Sequence, residues 1–308
     1  MKIVFMGTPE FAVPALDVLH ASHHCVRAVV TSPDKPQGRG RKMAVSEVKQ
    51  KALDLGLPVL QPKQLKDPLF LEQLKEYHPN ILVVIAFRVL PPEVYTIPSY
   101  GAINAHASLL PKYRGAAPIH WAVYHGEKET GITIFQINKT VDTGQIIYQT
   151  RIPITAKDTT GTLYNTLKNH AANALLQAVD MLEKGNVQPI PQNHAAATPA
   201  PKITADTGAL DFTQTGEQLC NAVRAFTPWP GAFFYLNGKR IKIIKASYLK
   251  TDIQQPGTIT LISKQQFAIH CADGYFLPAV IQSPGRKKMN VTDWLNGTDI
   301  SSCKHVDL

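Results

Sequence analysis

Short apolar runs recur along the first 150 residues with helix-like stretches between them, and this alternation leaves few architectures open. The runs are 2–6, 26–30, 59–60, 81–87 and 102–105; the intervening 45–55 and 69–77 carry helical spacing. Strands that are apolar on both faces and alternate with helices predict a doubly wound α/β domain, with a mostly parallel sheet covered on both sides. Gly7 breaks the first run; Thr8 is expected to cap a helix whose first turn accepts Pro9. The longest apolar run, 81–87, is seven residues, far short of the roughly 20 that a membrane helix needs. Without a long apolar core near Met1, no secretory signal is expected, and the chain reads as cytoplasmic.

After strand-like 131–137 and 145–154, a long helix is predicted from 160 to 184. Composition then shifts: Pro189, Pro191, Pro199, Pro201 and a triple alanine read as a linker. Beyond it lie a short helix at 216–226 and five strand-like runs at 232–236, 240–246, 257–262, 267–271 and 275–281. Asn237-Gly238 and Asp273-Gly274 supply hairpin turns. Short strands at this spacing predict a small β-barrel. The expected division is therefore 1–188, a linker at 189–207, and 208–308. Cys25, Cys220, Cys271 and Cys303 show no close pair, which favours reduced thiols over a disulfide framework or zinc ribbon.

Lysine and arginine number 32 against 23 acidic residues, a formal charge of +9 shared between both halves of the chain. Such a balance favours an anionic partner, and a surface that is positive on both parts suits a long polyanion. Neither G-x-G-x-x-G nor G-x-x-x-x-G-K-[ST] is present, so neither a dinucleotide nor a nucleoside triphosphate is indicated.

The informative segment is 104–115, Asn-Ala-His-Ala-Ser-Leu-Leu-Pro-Lys-Tyr-Arg-Gly. On a strand, Asn104, His106 and Ser108 share one face. Polar groups there are costly in a core unless they line a cleft, and the carboxyl end of a parallel strand is where such sheets bind ligands. A hydrogen-bonded core histidine remains the alternative. Asp142, in Val141-Asp142-Thr143-Gly144, sits at a turn that follows a neighbouring strand and is placed to face His106. Asp-Thr-Gly also occurs in aspartic proteases, but a second copy is absent. No G-x-S-x-G elbow surrounds Ser108. A set of Asn, His and Asp without a strong nucleophile points to direct transfer between two bound substrates.

Asn-x-His-x-Ser-Leu-Leu-Pro-x-x-Arg-Gly, followed by Ala116-Ala117-Pro118-Ile119 and Asp142-Thr143-Gly144, resembles the 10-formyltetrahydrofolate-dependent formyltransferases. Gly7-Thr8-Pro9-Glu10-Phe11-Ala12, Pro33-Asp34-Lys35-Pro36 with Gly38 to Lys42, Arg224-Ala225-Phe226 and Pro228-Trp229-Pro230 extend the resemblance over essentially the whole chain. It implies a Rossmann-like catalytic domain and an OB-like barrel. The implied reaction moves formyl from 10-formyltetrahydrofolate to the α-amine of methionine esterified to initiator tRNA. Asn104, His106 and Asp142 match the catalytic positions. Ser108, Leu109, Leu110 and Pro111 match a folate-contacting loop, with Val89 and Val141 beside the pterin. Where the family usually has an aromatic-glycine pair, this chain has Phe87-Arg88, and Arg88 is expected to face solvent.

Lys35, Arg39, Arg41 and Lys42, with Gly38 and Gly40 among them, are expected to meet the acceptor end of the tRNA. Arg240 and Lys242 share one face of a predicted hairpin and are expected to track phosphates. Trp229 and Trp294 are expected in the core. No metal is expected, because no His, Cys or carboxylate cluster has ligand spacing. A monomer is expected. Two rivals stay open: a small-molecule formyltransferase or formyl-folate hydrolase, for which the basic segments are superfluous, and a non-catalytic RNA-binding protein, for which the polar strand face is superfluous.

Overall fold

In the computed structural model, which describes residues 1–37, 42–251, 255–300 and 303–307, the continuous apolar runs become strands buried on both faces. β1 (Lys2–Gly7), β2 (Cys25–Val30), β3 (Lys35–Gln37), β4 (Lys42–Ala44), β5 (Val59–Leu60), β6 (Ile81–Ile85), β7 (Ala102–His106), β8 (Arg114–Gly115), β9 (Glu129–Gln136) and β10 (Ile146–Pro153) follow in order. Seven of them form one sheet in the order β10-β9-β7-β6-β1-β2-β5. The pairs from β5 to β7 are parallel, with Val84 opposite Asn104; β9 and β10 are antiparallel. Every residue of β6 is buried, and only Lys2 of β1 is exposed.

The helices that precede residue 184 are α1 (Val13–Ala21), α2 (Glu47–Asp54), α3 (Pro68–Glu76), α4 (Pro92–Tyr95), α5 (Pro118–Tyr124) and α6 (Thr160–Glu183). Ser46 caps α2 by accepting from the Lys49 amide, and Asp67 caps α3 by accepting from that of Leu69. Thr8 does not cap: Pro9 precedes a 3-10 turn, and the Thr8 hydroxyl pairs with that of Ser32 at 3.1 Å. Along α6, Leu163, Leu167, Ala171, Leu175, Ala178 and Leu182 recur at helical spacing and are buried. The chain leaves β1 toward β2 on one side and returns through β6 on the other. The carboxyl ends of β1 and β6 therefore form the switch point where doubly wound sheets open a crevice. Gly7 ends β1 there, and a Cβ on it would stand 2.8 Å from that of Ala12.

The chain divides into two units. The first comprises 1–118, 129–153 and 164–200; the second comprises 119–128, 154–163 and 201–308. The stretch 189–200, expected as linker, packs within the first unit, where β11 (Pro199–Ala200) pairs with β8. The second unit holds α7 (Gly216–Ala225), opened by a reciprocal Thr215–Gln218 capping box, and α8 (Val291–Asn296). Its sheet comprises β12 (Ala232–Leu236), β13 (Lys239–Lys250), β14 (Ile259–Ser263), β15 (Gln266–Cys271), β16 (Gly274–Gln282) and β17 (Met289–Asn290). The order is β12-β13-β16-β15-β14, and β17 adds to β16. His305 bridges Thr258 and Asp307 bridges Tyr235. One short segment thus joins both edges and closes the backbone pairing into a ring. Trp294 is buried, whereas Trp229 is 54% exposed, contrary to expectation, because it projects from a proline-flanked turn. Among the described residues no helix is long and apolar enough to cross a membrane.

Candidate active site

The site grows from the carboxyl end of β7. Alternation puts Asn104 and His106 on one face, with Asn104 half-buried and His106 6% exposed. His106 Nε2 donates to the Tyr113 carbonyl at 2.7 Å. A carbonyl can only accept, so that ring nitrogen carries hydrogen. The other nitrogen, Nδ1, faces Asp142 Oδ2 at 3.7 Å. Among the described residues the Asn104 side-chain amide has no protein partner, which leaves its hydrogens available to a ligand.

Asp142 is fixed from several directions. Its Oδ2 accepts from the Gly115 amide at 2.9 Å. Its backbone is left-handed, φ +55°, as is that of Tyr113 at +61°. Aspartate tolerates this region better than tyrosine does, and such backbone outliers gather at functional sites. The turn is tight: a Cβ on Gly144 would lie 1.6 Å from the Gln136 carbonyl oxygen. Gln192 closes the arrangement, its Nε2 donating to the carbonyls of Asp142 at 3.0 Å and Gly144 at 2.8 Å. Its Oε1 accepts from Arg114 Nη2 at 2.6 Å and Nε at 3.1 Å. Neither Gln192 nor the Tyr113 carbonyl was visible in the pattern, since one lies in a proline-rich stretch and the other is backbone.

The loop after β7 is stapled from inside. Ser108 is fully buried, and its hydroxyl donates to the Lys112 carbonyl at 2.7 Å. The Thr133 hydroxyl donates to the Ser108 carbonyl at 2.7 Å and accepts from the Leu110 amide at 3.0 Å. Gln149 donates to the Leu110 carbonyl at 2.9 Å. Ser108 therefore shapes the loop and turns its hydroxyl inward; Leu110 is buried, and Leu109 and Pro111 are half-buried. Val89 and Val141 are 70% and 52% exposed. Arg88 does not face open solvent: it donates to the carbonyls of Pro62 at 2.9 Å and Lys63 at 3.1 Å, and lies 5.1 Å from the Phe87 ring centroid. Burial holds its guanidinium pKa below the ordinary value.

Of the expected tRNA contacts, Lys35 is exposed on β3, which pairs with β4 as a hairpin. Arg39, Arg41 and the Lys42 side chain lie outside the described residues. Asp34, beside Lys35, accepts from Lys49 Nζ at 2.5 Å and Gln61 at 2.8 Å. Those bonds hold its carboxyl below the usual value. In the second unit, Arg240 lies over the Phe233 ring at 3.6 Å and donates to the Ala205 carbonyl at 2.9 Å. Lys242 Nζ donates to the Pro230 carbonyl at 3.1 Å. Both head groups are engaged with the backbone, while Lys239 and Lys245 are exposed.

Two family models match the chain: formyl transferase over residues 1–179, and the formyl transferase C-terminal domain over 202–299. The methionyl-tRNA formyltransferase of Caldanaerobacter subterraneus is 43% identical over 302 residues, covering 97% of this chain and 98% of its own. That of Clostridium acetobutylicum is 42% identical over 303 residues, covering 97% of each. The chain belongs to the methionyl-tRNA formyltransferase family. The fold agrees: the N-formyltransferase of Helicobacter canadensis superposes with a TM-score of 0.68 at 21% identity, over 92% of this chain and 99% of that one. Gln192 falls between the two matched stretches of this formyltransferase, where neither family model extends.

Proposed function

We propose that this enzyme transfers the formyl group of 10-formyltetrahydrofolate to the α-amine of methionine on initiator tRNA, with Asn104, His106 and Asp142 as its catalytic residues. The observation that carries the assignment is the His106–Asp142 pair beside an unengaged Asn104 amide at the carboxyl end of β7. The neutral amine attacks the formyl carbon and forms the new C–N bond, and the carbonyl oxygen becomes negative. The Asn104 amide donates to that oxygen, and one such donor is worth about 10²–10³ in rate. Collapse breaks the bond from carbon to folate N10. The amine loses one proton and N10 gains one, so the reaction needs proton relay but no outside oxidant or reductant. His106 Nδ1 and Asp142 Oδ2 provide the relay, and a proton on Nδ1 adds positive charge beside the oxyanion.

Exposed Val89 and Val141, with Leu109 and Pro111, supply apolar surface for the pterin, on a loop whose shape Ser108 and Leu110 maintain. Lys35, Arg39, Arg41 and Lys42 position the acceptor end, and Arg240 and Lys242 belong to the basic surface of the second unit. The enzyme acts as a cytoplasmic monomer. A turnover assay would offer formyl-folate with methionyl-tRNA, free methionine, an amino sugar or water alone. Transfer to methionyl-tRNA should exceed the others by orders of magnitude in kcat/KM. Equal transfer to a small amine or to water would overturn the reading. The affinity for tRNA should also fall steeply with salt while folate binding changes little.

A further inference from the structure

At the edge of the first unit opposite the strand carboxyl ends, groups from three distant parts of the chain converge. The His24 side chain is fully buried, with Nε2 at 2.8 Å from Asp180 Oδ1 and Nδ1 at 3.7 Å from Glu183 Oε2. His23, 62% exposed, places Nε2 at 2.9 Å from Glu183 Oε2 and 3.7 Å from Asp180 Oδ1. The ligand atoms of His23, His24 and Glu183 all lie within 4.8 Å of one another. Donors around tetrahedral zinc, each about 2.0–2.2 Å from the ion, stand roughly 3.4 Å apart. The observed separations bracket that value, and an ion entering there displaces the Met1 ammonium from its place between His24 and Glu183.

The tautomer also suits a metal. The Met1 nitrogen lies 3.0 Å from His24 Nδ1 and can offer only hydrogens, so Nδ1 accepts. The lone pair that holds the ammonium is the one a metal takes by displacing it, and His23 Nε2, which donates to Glu183 at 2.9 Å, ligates in its other tautomer. Nε2 then carries the ring hydrogen and donates to Asp180. A carboxylate behind the far nitrogen of an imidazole is the arrangement that orients metal-binding histidines. The place between His24 and Glu183 is already suited to positive charge, because the Met1 ammonium donates to Glu183 Oε1 at 2.6 Å.

We infer that His23, His24 and Glu183 form a binding site for a borderline divalent transition metal, Zn²⁺ in the first instance, with Asp180 orienting His24. Two imidazoles and one carboxylate select zinc, cobalt, nickel or copper over magnesium or calcium. The fourth position goes to water, or to the Met1 nitrogen once it has released a proton. The site lies at the far end of β7 from His106. It ties the turn entering β2 to the end of α6, so the bound ion acts on the stability of the first unit and takes no part in formyl transfer. Sequence spacing hides it, since His23 and Glu183 are 160 residues apart.

The test uses the full-length, untagged chain. Calorimetric titration with Zn²⁺ should show one ion per chain, and the Tm should rise with Zn²⁺ concentration as expected for a ligand of the folded state. Cobalt should give the intense visible absorption of a four-coordinate ion. His23→Ala and Glu183→Gln should each weaken Zn²⁺ binding by at least about tenfold, and Asp180→Asn by roughly tenfold to a hundredfold. His20→Ala, an exposed histidine outside the cluster, should bind as the wild type does. His23 is exposed, so its variant should fold, and circular dichroism checks that. No saturable binding to the wild type, undiminished binding in His23→Ala, or equal weakening in His20→Ala would each overturn the inference.

Discussion

Gln192 spans the Asp142 turn and Arg114, donating to the carbonyls of Asp142 and Gly144 while accepting from the guanidinium. One buried amide therefore sets where the Asp142 carboxylate stands relative to His106. The pair depends on a residue 50 positions further along the chain.

Replacing Gln192 by alanine leaves two carbonyls and a guanidinium to find new partners, and it frees the turn. We expect kcat to fall roughly tenfold to a hundredfold, because small displacements of a reacting group are costly. Folate affinity should hardly change. Steady-state kinetics with a separate folate titration distinguishes this positioning effect from loss of binding.

Asn104→Ala removes the unengaged donor and should lower kcat by about 10²–10³. His106→Ala should lower it by at least about 10². Both variants should bind folate and keep the wild-type circular dichroism spectrum. Wild-type turnover in either would dismiss that residue's role.

Gly144→Ala forces a Cβ to 1.6 Å from the Gln136 carbonyl oxygen. It should destabilise the first unit by about 1–3 kcal/mol and reduce activity along with stability. Gly185→Ala, at φ +67° but with nothing within 4 Å, should cost only about 1 kcal/mol. Denaturant titration of both variants gives the comparison.

Lys49 and Gln61 hold the Asp34 carboxyl below its ordinary 3.8. As pH falls through that value the unfolded chain takes up a proton before the folded chain does. The stabilisation present above it is then lost toward lower pH. Lys49→Met should lower the Tm at neutral pH and leave it nearly unaffected well below about pH 4, so the acid limb of a Tm-against-pH plot becomes flatter. An unchanged acid limb would show that the bonds to Asp34 contribute nothing.

Burial pushes the Cys220 thiol up to about 11, whereas Cys25 is exposed. Iodoacetamide at pH 8 should modify Cys25 at least about tenfold faster than Cys220, since only the thiolate reacts. Peptide mass spectrometry over time reads both rates in one sample.

The parallel sheet was legible because strands buried on both faces leave continuous apolar runs, and Asn104 and His106 were legible because alternation marks one polar face. The end of β6 was not. Residues 81–87 are apolar throughout, but the strand stops at Ile85, where Ala86 turns left-handed at φ +48° and Arg88 folds back onto Pro62 and Lys63. Apolarity records burial, and it does not record where a backbone leaves its ladder. The prolines of 189–201 suggested a linker and so concealed Gln192. Trp229 was misplaced for the same reason: residue type suggests a core, while two flanking prolines hold the ring outward. A cluster assembled from Met1, His23, His24, Asp180 and Glu183 leaves no local period at all.

The segment that joins both edges of the C-terminal sheet lies downstream of every strand it connects. During synthesis, residues 232–282 can pair among themselves before Lys304, Val306 and Asp307 arrive; Leu210 already covers Phe233, but the Tyr235 end of β12 and the outer edge of β14 wait for that segment. The first unit has all of its residues by Ala200. On a growing chain the two units therefore mature at different times, and the second passes through an interval with incompletely paired strand edges, a state prone to pairing with a neighbour.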